Sequence, residues 1–142
     1  MQGEAVSKRN DDMKNLDVSG SCLFCSMPID RIVAENDLSY AVRDGFPVTD
    51  GHTLVIPKRH VEGFFGLTAD EVLSCNQLLK ELHSSIKAQD QLVKGFNVGM
   101  NVGAAAGQTI FHCHIHLIPR REGDVENPRG GVRHTIPGKG FY

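Results

Sequence analysis

Phe111-His112-Cys113-His114-Ile115-His116-Leu117-Ile118-Pro119-Arg120 alternates apolar residues with three histidines. Successive side chains of a strand point to opposite faces, so Phe111, Cys113, Ile115 and Leu117 make one face apolar while His112, His114 and His116 share the other. The pattern predicts a strand over Thr109 to Ile118, closed by Pro119. A buried imidazole needs a partner for both its donor and its acceptor, so three in register point to chemistry rather than packing. Two chemistries fit: ligation of a metal by neutral imidazole, and nucleophilic or general-base action by one ring held in a single tautomer by its neighbours. Upstream, Asn101-Val102-Gly103-Ala104-Ala105-Ala106-Gly107-Gln108-Thr109 is a small-residue loop. Its backbone N–H groups, the Gln108 amide and the Thr109 hydroxyl suit phosphate oxygens, which favours the second chemistry.

Outward from this strand, Phe96, Val98, Met100 and Val102 alternate with Asn97, Gly99, Asn101 and Gly103, predicting a strand with one apolar and one small, polar face. Thr68-Ala69-Asp70-Glu71 has the form of a capping box. Cys75, Leu79, Leu82 and Ile86, widened by Val72 and Leu78, form the buried stripe of a helix ending near Gln89. His52-Thr53-Leu54-Val55-Ile56 reads as a central strand stopped by Pro57. Ile32-Val33-Ala34 and Ser39-Tyr40-Ala41-Val42 form a hairpin around Glu35-Asn36-Asp37. Several strands, one or two helices and short links give an α+β fold with an antiparallel sheet.

The chain has 142 residues, 15 basic and 17 acidic side chains, and 40% hydrophobic content, which suits one domain with its own core. Near-neutral charge argues against bulk nucleic-acid binding. No apolar run approaches the roughly 20 residues that span a bilayer. Residues 1–20 are polar, without a secretory pattern, and read as a disordered tail of a cytoplasmic protein; residues 122–142 read as an extended C-terminal tail. Four arginines, Arg120, Arg121, Arg129 and Arg133, lie at or beyond the end of the last strand.

The His-x-His-x-His pattern, Gly107-Gln108-Thr109 and Asn101 before it, and Asp44 with Gly51-His52-Thr53-Leu54-Val55-Ile56-Pro57-Lys58-Arg59-His60 together resemble the histidine triad (HIT) family. The resemblance covers roughly residues 22–121, within a domain taken as 21–121. It implies a HIT-like fold with about five antiparallel strands, one long and one short helix, assembled as a homodimer. It implies attack by His114 on the α-phosphorus of a purine nucleotide, forming a covalent nucleotidyl-histidine that water hydrolyses. In that scheme His116 contacts the phosphate and assists the leaving group, and His112 completes the triad. Asp44 accepts the ribose hydroxyls, while Asn101, Gly107, Gln108 and Thr109 line the phosphate side, with His52 either approaching the pocket or finishing its strand. The Gly107-Gln108-Thr109 run and Pro119-Arg120-Arg121 look most like the fragile-histidine-triad branch, which implies diadenosine tri- or tetraphosphate as substrate, accompanied by Mg²⁺. An adenosine phosphoramidase and a non-catalytic nucleotide-binding module are the alternatives.

Cys22-Leu23-Phe24-Cys25 has the spacing of a zinc grip or a redox pair. Ser26-Met27-Pro28-Ile29 does not supply the βαβ context of the redox reading, and two packed free thiols are the plain alternative. Zinc needs two further ligands. Similarity to zinc-bearing HIT proteins implies His60 and His112 as those ligands, with a structural role for the metal.

Overall fold

The computed structural model describes residues 22–142; the N-terminal tail expected over 1–20 lies outside the described residues. Five runs of β-prone sequence, β1 (Ile32–Glu35), β2 (Ser39–Arg43), β3 (Thr53–Pro57), β4 (Val93–Gly99) and β5 (Ile115–Arg121), pair into one sheet in the order β1-β2-β3-β5-β4. Every neighbouring pair is antiparallel. The first hairpin turns on Asn36, whose Oδ1 accepts the N–H groups of Leu38 at 3.3 Å and Ser39 at 3.0 Å, an asparagine side chain standing in for a backbone acceptor.

The helix, α1 (Ala69–Gln89), begins at the expected capping box: Glu71 N–H donates to Thr68 Oγ1 at 3.1 Å and Thr68 N–H to Glu71 Oε1 at 2.8 Å. Cys75, Leu78, Leu82 and Ile86 are its buried stripe, whereas Val72 faces solvent. They pack on Ala41 of β2, Val55 of β3, Val93 of β4 and Ile115 and Leu117 of β5. Each fully buried aliphatic side chain here contributes about 1.5–3 kcal/mol relative to exposure. The alternate residues Tyr40, Val42, Leu54 and Ile56 point to the opposite face, where Cys22 and Phe24 cover them. Tyr40 Oη donates to the Phe24 carbonyl, pinning the Cys-x-x-Cys segment to that face. The helix therefore occupies one side of the sheet and leaves the other for the histidines. The remaining helical pieces are 3-10 turns at Ile29–Arg31, Phe64–Gly66, Ala104–Ala106 and Gly131–Thr135. No helix is long and apolar enough to cross a membrane.

Two strands differ from the sequence expectation. The fourth starts at Val93 and stops at Gly99 rather than spanning Phe96 to Val102, because Gly99 pairs with His116, one residue from where β5 starts, and no ladder partner lies farther along. The fifth starts at Ile115 rather than Thr109: the Cys113 N–H is already bonded to the Val61 carbonyl at 2.7 Å, outside the sheet. It also runs through Pro119 to Arg121. The Pro119 carbonyl accepts the Thr49 hydroxyl at 2.6 Å, and the N and O of a strand residue share a side. The missing N–H therefore falls beyond the last β3–β5 pair, Thr53 with Leu117, and no ladder bond is lost.

Candidate functional site

A cavity of about 350 Å³ opens on the sheet face opposite α1, with Phe24, Asp44, His52, Thr109, His114 and His116 among its walls. The volume lies within the range of small-molecule sites. Asn101 and Gly107 also reach it, so most of the residues expected to touch a nucleotide converge here. His114 and His116 stand side by side with ring centroids 5.3 Å apart, and Phe24 meets His114 edge-on at 5.1 Å.

The hydrogen bonds fix which nitrogen of each ring carries its proton. His114 Nδ1 lies 2.8 Å from the carbonyl oxygen of His112, an acceptor only, so Nδ1 carries the proton and Nε2 keeps its lone pair. His52 Nδ1 accepts the Val48 N–H at 3.0 Å, so in the neutral ring the proton is on Nε2. That Nε2 lies 2.9 Å from His116 Nδ1 and 3.4 Å from Asp44 Oδ2. His116 thus accepts at Nδ1 and presents Nε2–H as a donor. A basic nitrogen and a donor N–H face the cavity on adjacent rings.

Burial reinforces this arrangement. The pKa of His114 is pushed down by loss of water around it, opposed by the His112 carbonyl and by Asp44. His116 falls to about 4, through burial first and then through His114 and His52, whose positive charge it would have to share. His52 is also lowered by burial, with Asp44 pulling the other way. All three rings are neutral at physiological pH.

Gln108 is placed differently from Thr109. Its amide is only 3% exposed: Oε1 accepts the Gly103 N–H at 2.9 Å, and Nε2 donates to the carbonyls of Glu62 at 2.7 Å and Ile110 at 3.0 Å. These bonds use both amide protons and brace the small-residue loop. Gly103 and Gly107, at φ 91° and 96°, supply the positive-φ conformations that bend the loop around Ala104–Ala106, Gly107 in the left-handed helical region. Sequence reasoning missed the Val48 N–H, the Pro57 carbonyl and Arg31, which lines the cavity. A backbone donor carries no residue-type signal, and Arg31 has no motif around it.

Beside the cavity, Cys22, Cys25, His60 and His112 place their ligand atoms within 4.8 Å of one another. His112 Nδ1 is 3.5 Å from each sulfur, and His60 Nδ1 is 3.3 Å from the Cys25 sulfur. Ligands bound to Zn²⁺ at roughly 2.0–2.3 Å stand about 3.3–3.8 Å apart in a tetrahedron, so the spacing and the Cys2His2 donor set fit that ion. His112 Nε2 is 2.7 Å from the Pro57 carbonyl, which fixes its proton there and leaves Nδ1 as the ligating atom. A second grouping, Asp44, His52 and His116, offers a single carboxylate. Mg²⁺ prefers oxygen ligands, and the expected Mg²⁺ gains no support from this set.

Residues 29–123 match the model of the HIT domain. Over 109 residues the sequence is 38% identical to an uncharacterized 16.1 kDa HIT-like protein of Mycoplasma pneumoniae, covering 73% of this chain and 74% of that protein. The chain belongs to the HIT family. A solved HIT family protein from Bacillus anthracis matches it with a TM-score of 0.67 at 40% identity, over 72% of this chain and 75% of the other. A Zn-bound histidine triad family protein from Mycobacterium smegmatis matches with a TM-score of 0.66 at 33% identity, over 73% and 78%. Among relatives whose names state an activity, adenylylsulfatase HINT3 of Arabidopsis thaliana is 34% identical over 113 residues, which are 75% of this chain and 56% of that protein. The HIT fold here is the five-stranded antiparallel sheet with one main helix.

Proposed function

We propose that this HIT protein is a nucleotide hydrolase or nucleotidyl transferase that cleaves at the α-phosphate of a purine nucleotide, with a dinucleoside polyphosphate as its first substrate. The observation that carries this reading is the pairing of a lone pair on His114 Nε2 with a donor on His116 Nε2 across one cavity. Nε2 of His114 forms a bond to the α-phosphorus as the bond to the bridging oxygen breaks, and the leaving phosphate departs with the electron pair. Nδ1–H donates to the His112 carbonyl throughout, and that carbonyl oxygen offsets the positive charge that the ring acquires. Water then attacks the phosphorus, the P–Nε2 bond breaks with its electron pair returning to His114, and the proton of the water passes to solvent as the mononucleotide forms. Asp44 holds the ribose hydroxyls, while Thr109, Asn101 and the backbone at Gly107 orient phosphate oxygens, a task that is mostly positioning and charge stabilisation.

A His116 that titrates at about 4 is a hydrogen-bond donor at neutral pH and not a proton source. A polyphosphate leaves as an anion, whereas an amine must be protonated, and this favours dinucleoside polyphosphates over adenosine phosphoramidate. The name of the plant relative adds adenylyl sulfate, another mixed anhydride of AMP, as a probe. The Zn-bound neighbour and the donor set support Zn²⁺ on Cys22, Cys25, His60 and His112. Bound there, the ion supplies a structural cross-link. The four reduced cysteines among the described residues suit a cytoplasmic setting. A homodimer paired through the helix and the central strands completes this reading, and sedimentation at twice the chain mass is its check.

The test is single-turnover incubation with α-labelled diadenosine tetraphosphate, adenylyl sulfate and adenosine phosphoramidate, comparing wild type with His114→Ala. Label on the wild-type chain, followed by release of mononucleotide, is expected, with neither in the variant. Nucleotide binding without release from any of the three would leave a binding module and end the assignment of His114 as a catalytic residue.

A further inference from the structure

A second chamber of about 540 Å³ adjoins the first. Val48, His52, Asn101 and His116 line both, while His114 lines only the first. The new walls are Val98, Met100 and Ile118 from the sheet side and Val132 from the C-terminal segment. Asn97 and Thr135 bring polar groups to the same chamber. Val98 and Val132 are 48% and 64% exposed, apolar surface left open at the mouth of a cavity.

The C-terminal segment is built into this position. Gly130 and Gly131, at φ 96° and 49°, turn the chain back over β4. Arg120 donates to Asn97 Oδ1 at 2.6 Å and pairs with Asp124 at 2.8 Å, and the guanidinium groups of Arg129 and Arg133 each lie 4.7 Å from the centre of the Tyr142 ring. Three of the four tail arginines singled out in the sequence, Arg120, Arg129 and Arg133, thus brace the segment that walls the chamber, while Arg121 pairs with Asp90 elsewhere.

We propose that this second chamber receives the leaving nucleoside of a dinucleoside polyphosphate; the proposal rests on the nucleotide reading of the first cavity. Attack by His114 ejects the leaving group away from the first cavity, past the His116 donor that the two chambers share. A ligand in the second chamber therefore has to be continuous with the phosphate chain at His116. Apolar walls with amide and hydroxyl groups suit the faces and edges of a base. AMP fills the first cavity alone, whereas diadenosine tetraphosphate fills both.

The test uses full-length His114→Ala protein, which binds without turnover, titrated with AMP and with diadenosine tetraphosphate. The dinucleotide is expected to bind roughly tenfold tighter or better. Adding Val132→Asp should erase that excess and leave the AMP Kd unchanged, while Val132→Leu keeps it. Equal affinity for the two ligands, or equal weakening of both by Val132→Asp, overturns the second chamber and spares the first. A change of oligomeric mass in Val132→Asp, with the excess affinity intact, overturns it in favour of an interface between copies. AMP failing to bind overturns the nucleotide reading and the proposal together. Excess dinucleotide affinity in protein that shows no turnover with His114 intact sinks the hydrolase reading but keeps the chamber.

Discussion

His52 touches no reacting atom in the proposed scheme, yet it decides what His116 can do. The Val48 N–H takes the Nδ1 lone pair of His52, and the proton thereby forced to Nε2 occupies the His116 Nδ1 acceptor. His52→Ala should lower kcat on diadenosine tetraphosphate by roughly 10- to 100-fold with little change in AMP affinity. An unchanged kcat would mean that His116 needs no such partner. The same rings set a pH dependence. His116 takes up a proton at about 4 in the folded protein, below the ordinary imidazole value of 6.5, so the unfolded chain binds more protons between those limits. Its contribution to stability is full above about pH 6.5 and is lost as the pH falls toward 4, to be read as a falling denaturant midpoint. Activity should persist below pH 6.5 for a related reason, since burial keeps His114 neutral there. The row of histidines and the Cys-x-x-Cys pair were legible from residue type and spacing, whereas Asp44 and the grouping of His60 and His112 with the cysteines were reached through the resemblance to the HIT family. The protonation pattern of the rings was legible in neither way, because it depends on the Val48 N–H and on the carbonyls of Pro57 and His112, which every residue type possesses.

Among the elements, α1 was the most legible, since its cap and its stripe are both local in sequence. Thr68→Ala removes the hydroxyl that accepts the Glu71 N–H and should cost about 1 kcal/mol, measured by chemical denaturation. Strand limits were less legible because a strand ends where its neighbour does. Gly99 ends β4 for want of a partner beyond His116, and Cys113 stays out of β5 because Val61, far away in sequence, claims its N–H. The Cys-x-x-Cys segment has no regular structure of its own and is tied to the sheet by the Tyr40 hydroxyl and the Cys/His cluster. Cys25→Ser should therefore lower both the bound zinc per chain and the thermal midpoint, with zinc measured by atomic absorption. A variant that loses zinc while melting at the same temperature would show that the cluster is not a structural clasp.

For the whole molecule, the division of labour follows from strand alternation. Odd positions in β5, Ile115 and Leu117, feed the core under α1, and even positions, His116 and Ile118, face the cavities. The arrangement of the domain was legible because both patterns occupy the same few strands. The second chamber was not, because its fourth wall comes from a segment with no periodicity, held by arginines whose partners are Asn97, Asp124 and Tyr142. One residue joins the two halves of the functional face. The ring of His112 belongs to the cysteine–histidine cluster, and its carbonyl holds the proton of His114. Coupling between two ligands is reciprocal, so if a metal at the cluster tightens nucleotide binding by some factor, nucleotide must tighten the metal by the same factor. A metal bound there would double as a gauge: its exchange rate, followed with and without AMP, would report on His114 from outside the cavity.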